Sequence, residues 1–234
     1  MKDGQNHDID LRSLLSQSRP LGIEPEAYHG LAGEVVEIIG PHSEADPIAL
    51  LASFLVGFGN LIGDSAHFVA EADKHPCRLF ATLVGETSKG RKGTSWGHIR
   101  NCLSAIDPEW KSLGGLSTGE GLISAVRDPL KENKEIDPGV VDKRLMVVEK
   151  ELSRVLKVMK REHNTLSSVL RDAWDSGNLE ILTKNSPAKA TGAHVSLLCH
   201  ITKEELTSRL GHTDIFNGFA NRFLWFCVKR SKFL

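Results

Sequence analysis

Between Arg78 and Ile106 the chain reads RLFATLV, then GETSKGRKGTS, then a stretch with helical spacing. The middle segment carries the residue types that a polyphosphate needs. Gly85, Gly90 and Gly93 let the backbone approach phosphate oxygens closely. Lys89, Arg91 and Lys92 supply positive charge, and Thr94 or Ser95 supplies a hydroxyl for Mg²⁺. A loop that leaves a buried strand and opens a helix presents unpaired N–H groups and the positive end of a helix dipole. The match to G-x-x-x-x-G-K-[ST] is off-pattern. Gly85 and Gly90 have the required separation, but Arg91 occupies the lysine position, Lys92 follows one residue late, and Gly93 intervenes before Thr94. Either a one-residue bulge restores the register, or Lys89 reaches back to the phosphates. The competing reading is a basic surface turn that merely joins strand to helix.

The elements around this loop alternate. Residues 1–24 are polar and read as a flexible arm, and 25–64 as a helical N-terminal extension. Within it, Leu31, Val35, Val36, Ile38 and Ile39 suit a helix packed on one face. A second helix, nearly all apolar, starts at Asp46 as N-cap with Pro47 in the first turn and runs to about Gly59. From 65 to the C-terminus we expect the nucleotide-binding core. It has strands at His67–Glu71, Arg78–Val84, Arg144–Val148, Leu179–Leu182, His194–Ile201 and Arg222–Lys229, with a charged, proline-bearing insertion at 128–143. Helices are expected over Trp96–Ile106, Leu152–Met159, Leu166–Trp174 and Lys203–Leu210, the last with Thr202 as N-cap and Glu205 at the capping-box position. The fold class is α/β with a mainly parallel sheet.

Bulk properties bound the function without naming it. At 234 residues with 40% hydrophobic and 25% charged residues the chain can build a full core. A formal net charge of −1 gives no global argument for nucleic-acid binding. Cys77, Cys199 and Cys227 lie in apolar runs and read, with Cys102, as reduced thiols in a cytoplasmic protein. The N-terminus has no apolar run of signal-peptide type, and Ile48–Ile62 is too short to span a bilayer, so no membrane partner is expected. The ten histidines show no metal-binding spacing, and the four tryptophans read as core.

The phosphate-loop run LVGETSKGRKGTSW, taken with LSTGEGL, VVEKELSRVL, NTLSSVLRDAWDSG, ATGAHVSLLCHIT and NGFANRFLW, resembles a family of RecA-like P-loop domains. These occur in phage, plasmid and actinobacterial proteins, often beside primase-polymerase modules. The resemblance covers Tyr28 to the C-terminus. It implies a RecA-like core whose full-length relatives continue past Trp225, so the chain reads as C-terminally truncated or as completed by a second polypeptide. It also implies ATP and Mg²⁺ as ligands, single- or double-stranded DNA and a primase-polymerase module as partners, and assembly as a homo-oligomer. On this resemblance Gly85, Lys89, Gly90, Arg91, Lys92, Gly93, Thr94 and Ser95 form the triphosphate cradle. Thr94 and Glu149 hold Mg²⁺, Glu149 standing where Asp is usual and sharing the job with Glu151. Glu120 is the general base, His200 with Thr202 senses the γ-phosphate, and Arg222 is an arginine finger acting in cis or across a subunit boundary. Plainer readings stand beside these: a dipole-favoured helix acid for Glu120, a structural histidine for His200, a salt bridge for Arg222.

Three functions fit this sequence. The first is a Mg²⁺-dependent ATPase linked to DNA replication or mobile elements, of helicase or translocase type. The second is a degenerate adaptor that binds nucleotide or DNA without hydrolysis. The third is a nucleic-acid module whose basic loop contacts DNA phosphate directly and whose binding falls steeply with salt. Arg154, Lys157, Lys160 and Arg161 share a helix and read as a solvated face or as phosphate contacts.

Overall fold

Strands that lack polar alternation need cover on both faces. FATLV, RLMVVE and HVSLLCHI are buried at nearly every position. The computed structural model describes residues 23–86, 90–132, 135–182 and 188–234, and sets these three strands side by side in a parallel sheet. In chain order the strands are β1 (His67–Ala70), β2 (Asp73–Pro76), β3 (Phe80–Val84), β4 (Ser112–Leu113), β5 (Leu130–Glu132) and β6 (Glu135–Asp137). They continue with β7 (Arg144–Glu149), β8 (Leu179–Ile181), β9 (Ala188–Ala190), β10 (His194–Ile201) and β11 (Phe223–Cys227). The helices are α1 (Gly30–Ile39), α2 (Pro47–Ile62), α3 (Lys92–Ile106) and α4 (Gly119–Ser124). After these come α5 (Leu152–Met159), α6 (Leu166–Asp175), α7 (Lys203–Arg209) and α8 (His212–Phe216).

The main sheet has the order β11-β3-β10-β7-β4, and all four pairings are parallel. Its two faces carry different helices. Ala81, Leu83, Met146, Val148 and Leu198 pack on one side with α2, α3 and Trp110. Phe80, Leu145, Val147, Val195, Leu197 and Cys199 pack on the other with α4, α5 and α6. The result is a three-layer α/β/α architecture.

Connectivity fixes where a ligand can enter. The chain leaves β3 through α3, on the α2 side, and returns at the far edge as β4. It leaves β10 through α7, on the opposite side, and ends up at the other edge as β11. Neighbouring strands whose outgoing chains diverge open a crevice at their carboxyl ends, the usual ligand position in open parallel sheets. Here that switch point, where such a crevice is expected, falls between the carboxyl ends of β3 and β10.

Helix α2 is held tightly to the sheet. Asp46 caps it by accepting from Ile48 N at 3.1 Å. At its other end the buried Asn60 amide donates to His194 O and Ser196 Oγ, while its oxygen accepts from Trp110 Nε1 at 2.9 Å. The expected capping box of α7 is present, with Thr202 and Glu205 bonded reciprocally. No helix among the described residues is long and apolar enough to cross a membrane.

Several sequence expectations need correction. Helix α3 begins at Lys92, four residues ahead of the expected Trp96, because the polar KGTS turn is itself helical. The strand expected at His67–Glu71 turns back on β2 as an exposed hairpin, and β8 pairs with β9 outside the main sheet. Of the three cysteines in apolar runs only Cys199 is buried; Cys77 and Cys227 are exposed, as is Cys102. Trp96 and Trp110 are core residues, whereas Trp174 is 37% exposed. The proposed arm at 1–24 falls almost wholly outside the described residues.

Candidate functional site

The basic loop follows the carboxyl end of β3, at the switch point. It leaves β3 after Val84 and enters α3, whose leading N–H groups have no intrahelical partner by helix geometry. Gly85 is required by packing: a Cβ there would lie 2.5 Å from Val228 O. At the end of the loop, Arg91 adopts a left-handed conformation, φ 47° and ψ 25°, as N-cap of α3. A left-handed residue at this point is compatible with the one-residue bulge, one of the two expected alternatives; the other turns on Lys89, outside the described residues. The side chain of Lys92, not that of Arg91, turns inward. The Lys92 ammonium donates to Gly85 O at 2.6 Å and to Glu86 O at 3.0 Å, folded into the loop. A Cβ on Gly90 would stand 3.5 Å from the same nitrogen. Burial pushes the Lys92 pKa down, opposed by the nearby Glu205 carboxylate.

The other loop residues divide. The Arg91 side chain points away to form an ion pair with Glu44 at 2.6 Å, so it does not line the cradle. Gly93 and Thr94 are exposed on the first turn of α3, and a Cβ on Gly93 would meet nothing within 4 Å. Ser95 is fully buried, its hydroxyl donating to Lys92 O at 2.7 Å, which rules it out as a ligand in this conformation. Lys89 lies outside the described residues.

On the neighbouring strand His200 is in register with Leu83, near the end of β3. Its ring is 3% exposed and its Nε2 has no hydrogen-bond partner among the described residues. Burial pushes the His200 pKa down to about 4, with the positive charges of Lys92 and Lys150 adding to the effect. As an N–H this ring nitrogen is a buried donor with no acceptor, the kind of group whose bonding an anion's acceptor oxygen would complete. Glu205 follows on α7, accepting from Ser153 Oγ at 2.9 Å, and its pKa is lowered by that bond first and by Thr202 and Lys92 after it.

Glu149 ends β7, one strand beyond β10. Its carboxylate is buried and committed. One oxygen accepts from Gly115 N and Leu116 N, each at 2.5 Å, and the other from Arg154 at 3.2 Å. These two N–H groups belong to the segment leading from β4 to α4, so Glu149 anchors the stretch that presents Glu120. Glu120 stands in the first turn of α4, and Thr165 Oγ1 donates to its carboxylate at 3.2 Å. Glu149 and His200 lie at carboxyl strand ends, while Lys92 and Glu120 stand in the first turns of helices that follow β3 and β4 and pack on opposite faces of the sheet.

Arg222 precedes β11, whose first residue pairs with Phe80 at the start of β3, while the loop leaves the other end. A strand of this length separates them by about 16 Å. Arg222 is also engaged, bonding both oxygens of Asp175 at 2.9 and 2.6 Å and Gly218 O at 2.7 Å, with Trp174 beneath it. In its own chain the arginine makes a salt bridge and stands at the opposite strand end from the loop.

Sequence reasoning missed two participants. Glu205 was visible only as a capping residue, and its approach to Lys92 depends on β10 lying beside β3. Glu44 gave no signal, since its partner is 47 positions away. Arg154, Lys157 and Arg209 line an open polar groove of about 490 Å³ between α5 and α7, bordered also by Glu205. No group of three metal-binding side chains occurs among the described residues. No protein-family model and no curated protein sequence matches this chain.

Proposed function

We propose that this domain binds the polyphosphate of a nucleotide, ATP by the resemblance, in the crevice between β3 and β10. The observation that carries the reading is the Lys92 ammonium, desolvated and turned into a glycine-bearing loop at a helix N-terminus. Phosphate oxygens there would replace the carbonyls of Gly85 and Glu86 as partners of Lys92, and would reach the unsatisfied His200 Nε2. The sheet order is compatible with the RecA-like core that the sequence resembles.

Hydrolysis is the second step of the proposal. Mg²⁺ supplies charge neutralisation to the phosphoryl group when bound. The residues fit it in part. Thr94 offers an exposed hydroxyl on the first turn, and Mg²⁺ commonly keeps waters and phosphate oxygens as its other ligands. The Glu149 carboxylate, with two N–H bonds and an arginine already on it, fits only through water. Glu120 is the base candidate because it is exposed at the same end of the sheet. Linkage to DNA, to a primase-polymerase module and to a homo-oligomer belongs to the same proposal and rests on the resemblance alone.

One observation favours the alternative adaptor, which binds without turnover: the occupied state of Glu149. Mg²⁺-dependent ATP hydrolysis by the native chain, Lys92→Ala and Glu120→Gln, with and without single-stranded DNA, separates the readings. Turnover lost in both variants supports the motor. Binding that requires Lys92 with no turnover in any form supports the adaptor, and absence of nucleotide binding overturns the motor and the nucleotide-binding adaptor.

A further inference from the structure

The Glu44 carboxylate, which lies just ahead of α2, collects three partners. It accepts from Arg91 at 2.6 Å, from Arg230 at 3.2 Å and from Leu234 N at 3.3 Å. Its backbone oxygen accepts from Ser231 N at 3.1 Å. Two neighbouring contacts follow the same path, Lys229 N to Asp46 and Lys232 Nζ to Pro41 O. The segment after β11 is thus laid along residues 41–46, and one carboxylate joins it to the loop.

Arg91 is the residue where this matters. A left-handed backbone at a residue with a Cβ costs about 1–3 kcal/mol and persists only when its surroundings enforce it. The Arg91 guanidinium is paired with Glu44. What the conformation achieves is the one-residue offset that turns Lys92 inward, while Arg91 O accepts from Thr94 N and Ser95 N to start α3.

We propose that Glu44 is a positioning residue for the loop: by fixing Arg91 in the left-handed conformation it places Lys92 in the crevice, and through Arg230 and Leu234 it makes that placement depend on the segment after β11. The inference rests on the phosphate-binding reading for its ligand, but its conformational content does not. Glycine adopts the left-handed region without a clamp, so replacing Arg91 by glycine removes the need for Glu44.

The test is a cycle of Glu44→Ala in the native chain and in an Arg91→Gly background. ATP affinity is read by calorimetry, and amide exchange of Thr94 and Ser95 is read without nucleotide. In the native chain Glu44→Ala weakens ATP binding about tenfold and speeds exchange at both amides by a similar factor. In the Arg91→Gly background the same substitution changes either by about twofold or less. Equal effects in both backgrounds, or none in the native chain, overturn the proposal. If the native chain binds no ATP, the phosphate reading fails, and the exchange data alone decide the role of Glu44.

Discussion

Protonation of His200 couples folding to the loop in opposite directions. Its folded pKa, about 4, lies below the ordinary value of 6.5, because burial and the charges of Lys92 and Lys150 disfavour the imidazolium. The unfolded chain therefore binds the extra proton first. The contribution of this group to stability is complete above about pH 6.5 and falls as pH drops toward 4. The full difference is about 3 kcal/mol, of which about 2 kcal/mol is gone by pH 5. His194 adds in the same direction, its pKa lowered chiefly by burial. Asp128, held at about 2, titrates in a lower window and does not confuse the comparison. Urea unfolding of the native chain and of His200→Leu between about pH 7.5 and 5 measures the difference, and the variant should lose the smaller amount by about 2 kcal/mol. An anion bound at Lys92 cancels the repulsion on the imidazolium, so nucleotide affinity should rise over the same interval in the native chain more than in the variant. Equal pH dependence of stability in the two proteins would refute the assignment of a neutral, buried His200.

Gly93→Ala meets no atom within 4 Å and lies in a helix, so it should stabilise the empty protein by about 0.5–1 kcal/mol while weakening nucleotide binding. Calorimetric melting and ATP titration of one variant check both signs. Asn60→Ala strands the Trp110 indole N–H and the acceptors on β10 in a buried site, and should cost about 2–4 kcal/mol by chemical denaturation. A thiol reagent should label Cys77, Cys102 and Cys227 under native conditions and Cys199 only after unfolding, as mass spectrometry of labelled peptides would record.

Local rules read much of this fold correctly and failed where distant contacts decide. The strand His194–Ile201 and the helix Leu152–Met159 lie where the sequence put them, because a long apolar run and a strong helical period leave little alternative. The caps at Asp46 and Thr202 also act as read, since a cap bonds within its own turn. The start of α3 was misplaced because KGTS has no apolar period, and the turn is set by Arg91 and Glu44. Cys77 and Cys227 have apolar neighbours in sequence, but Cys77 falls in the link between the exposed hairpin and β3, and Cys227 is the exposed last residue of the edge strand β11. The resemblance gives Arg222 a finger role, in cis or across a subunit boundary. Its true position follows from the parallel register of β11 on β3, which no local pattern carries.

The central claim is that Lys92 holds nucleotide phosphate, and calorimetric titration of ATP with Mg²⁺ into the native chain and Lys92→Ala tests it most directly. The account predicts saturable binding that weakens about a hundredfold in the variant, the loss of a charge-assisted contact in a desolvated loop. Binding of equal strength in the two proteins, or no binding by the native chain, would contradict it.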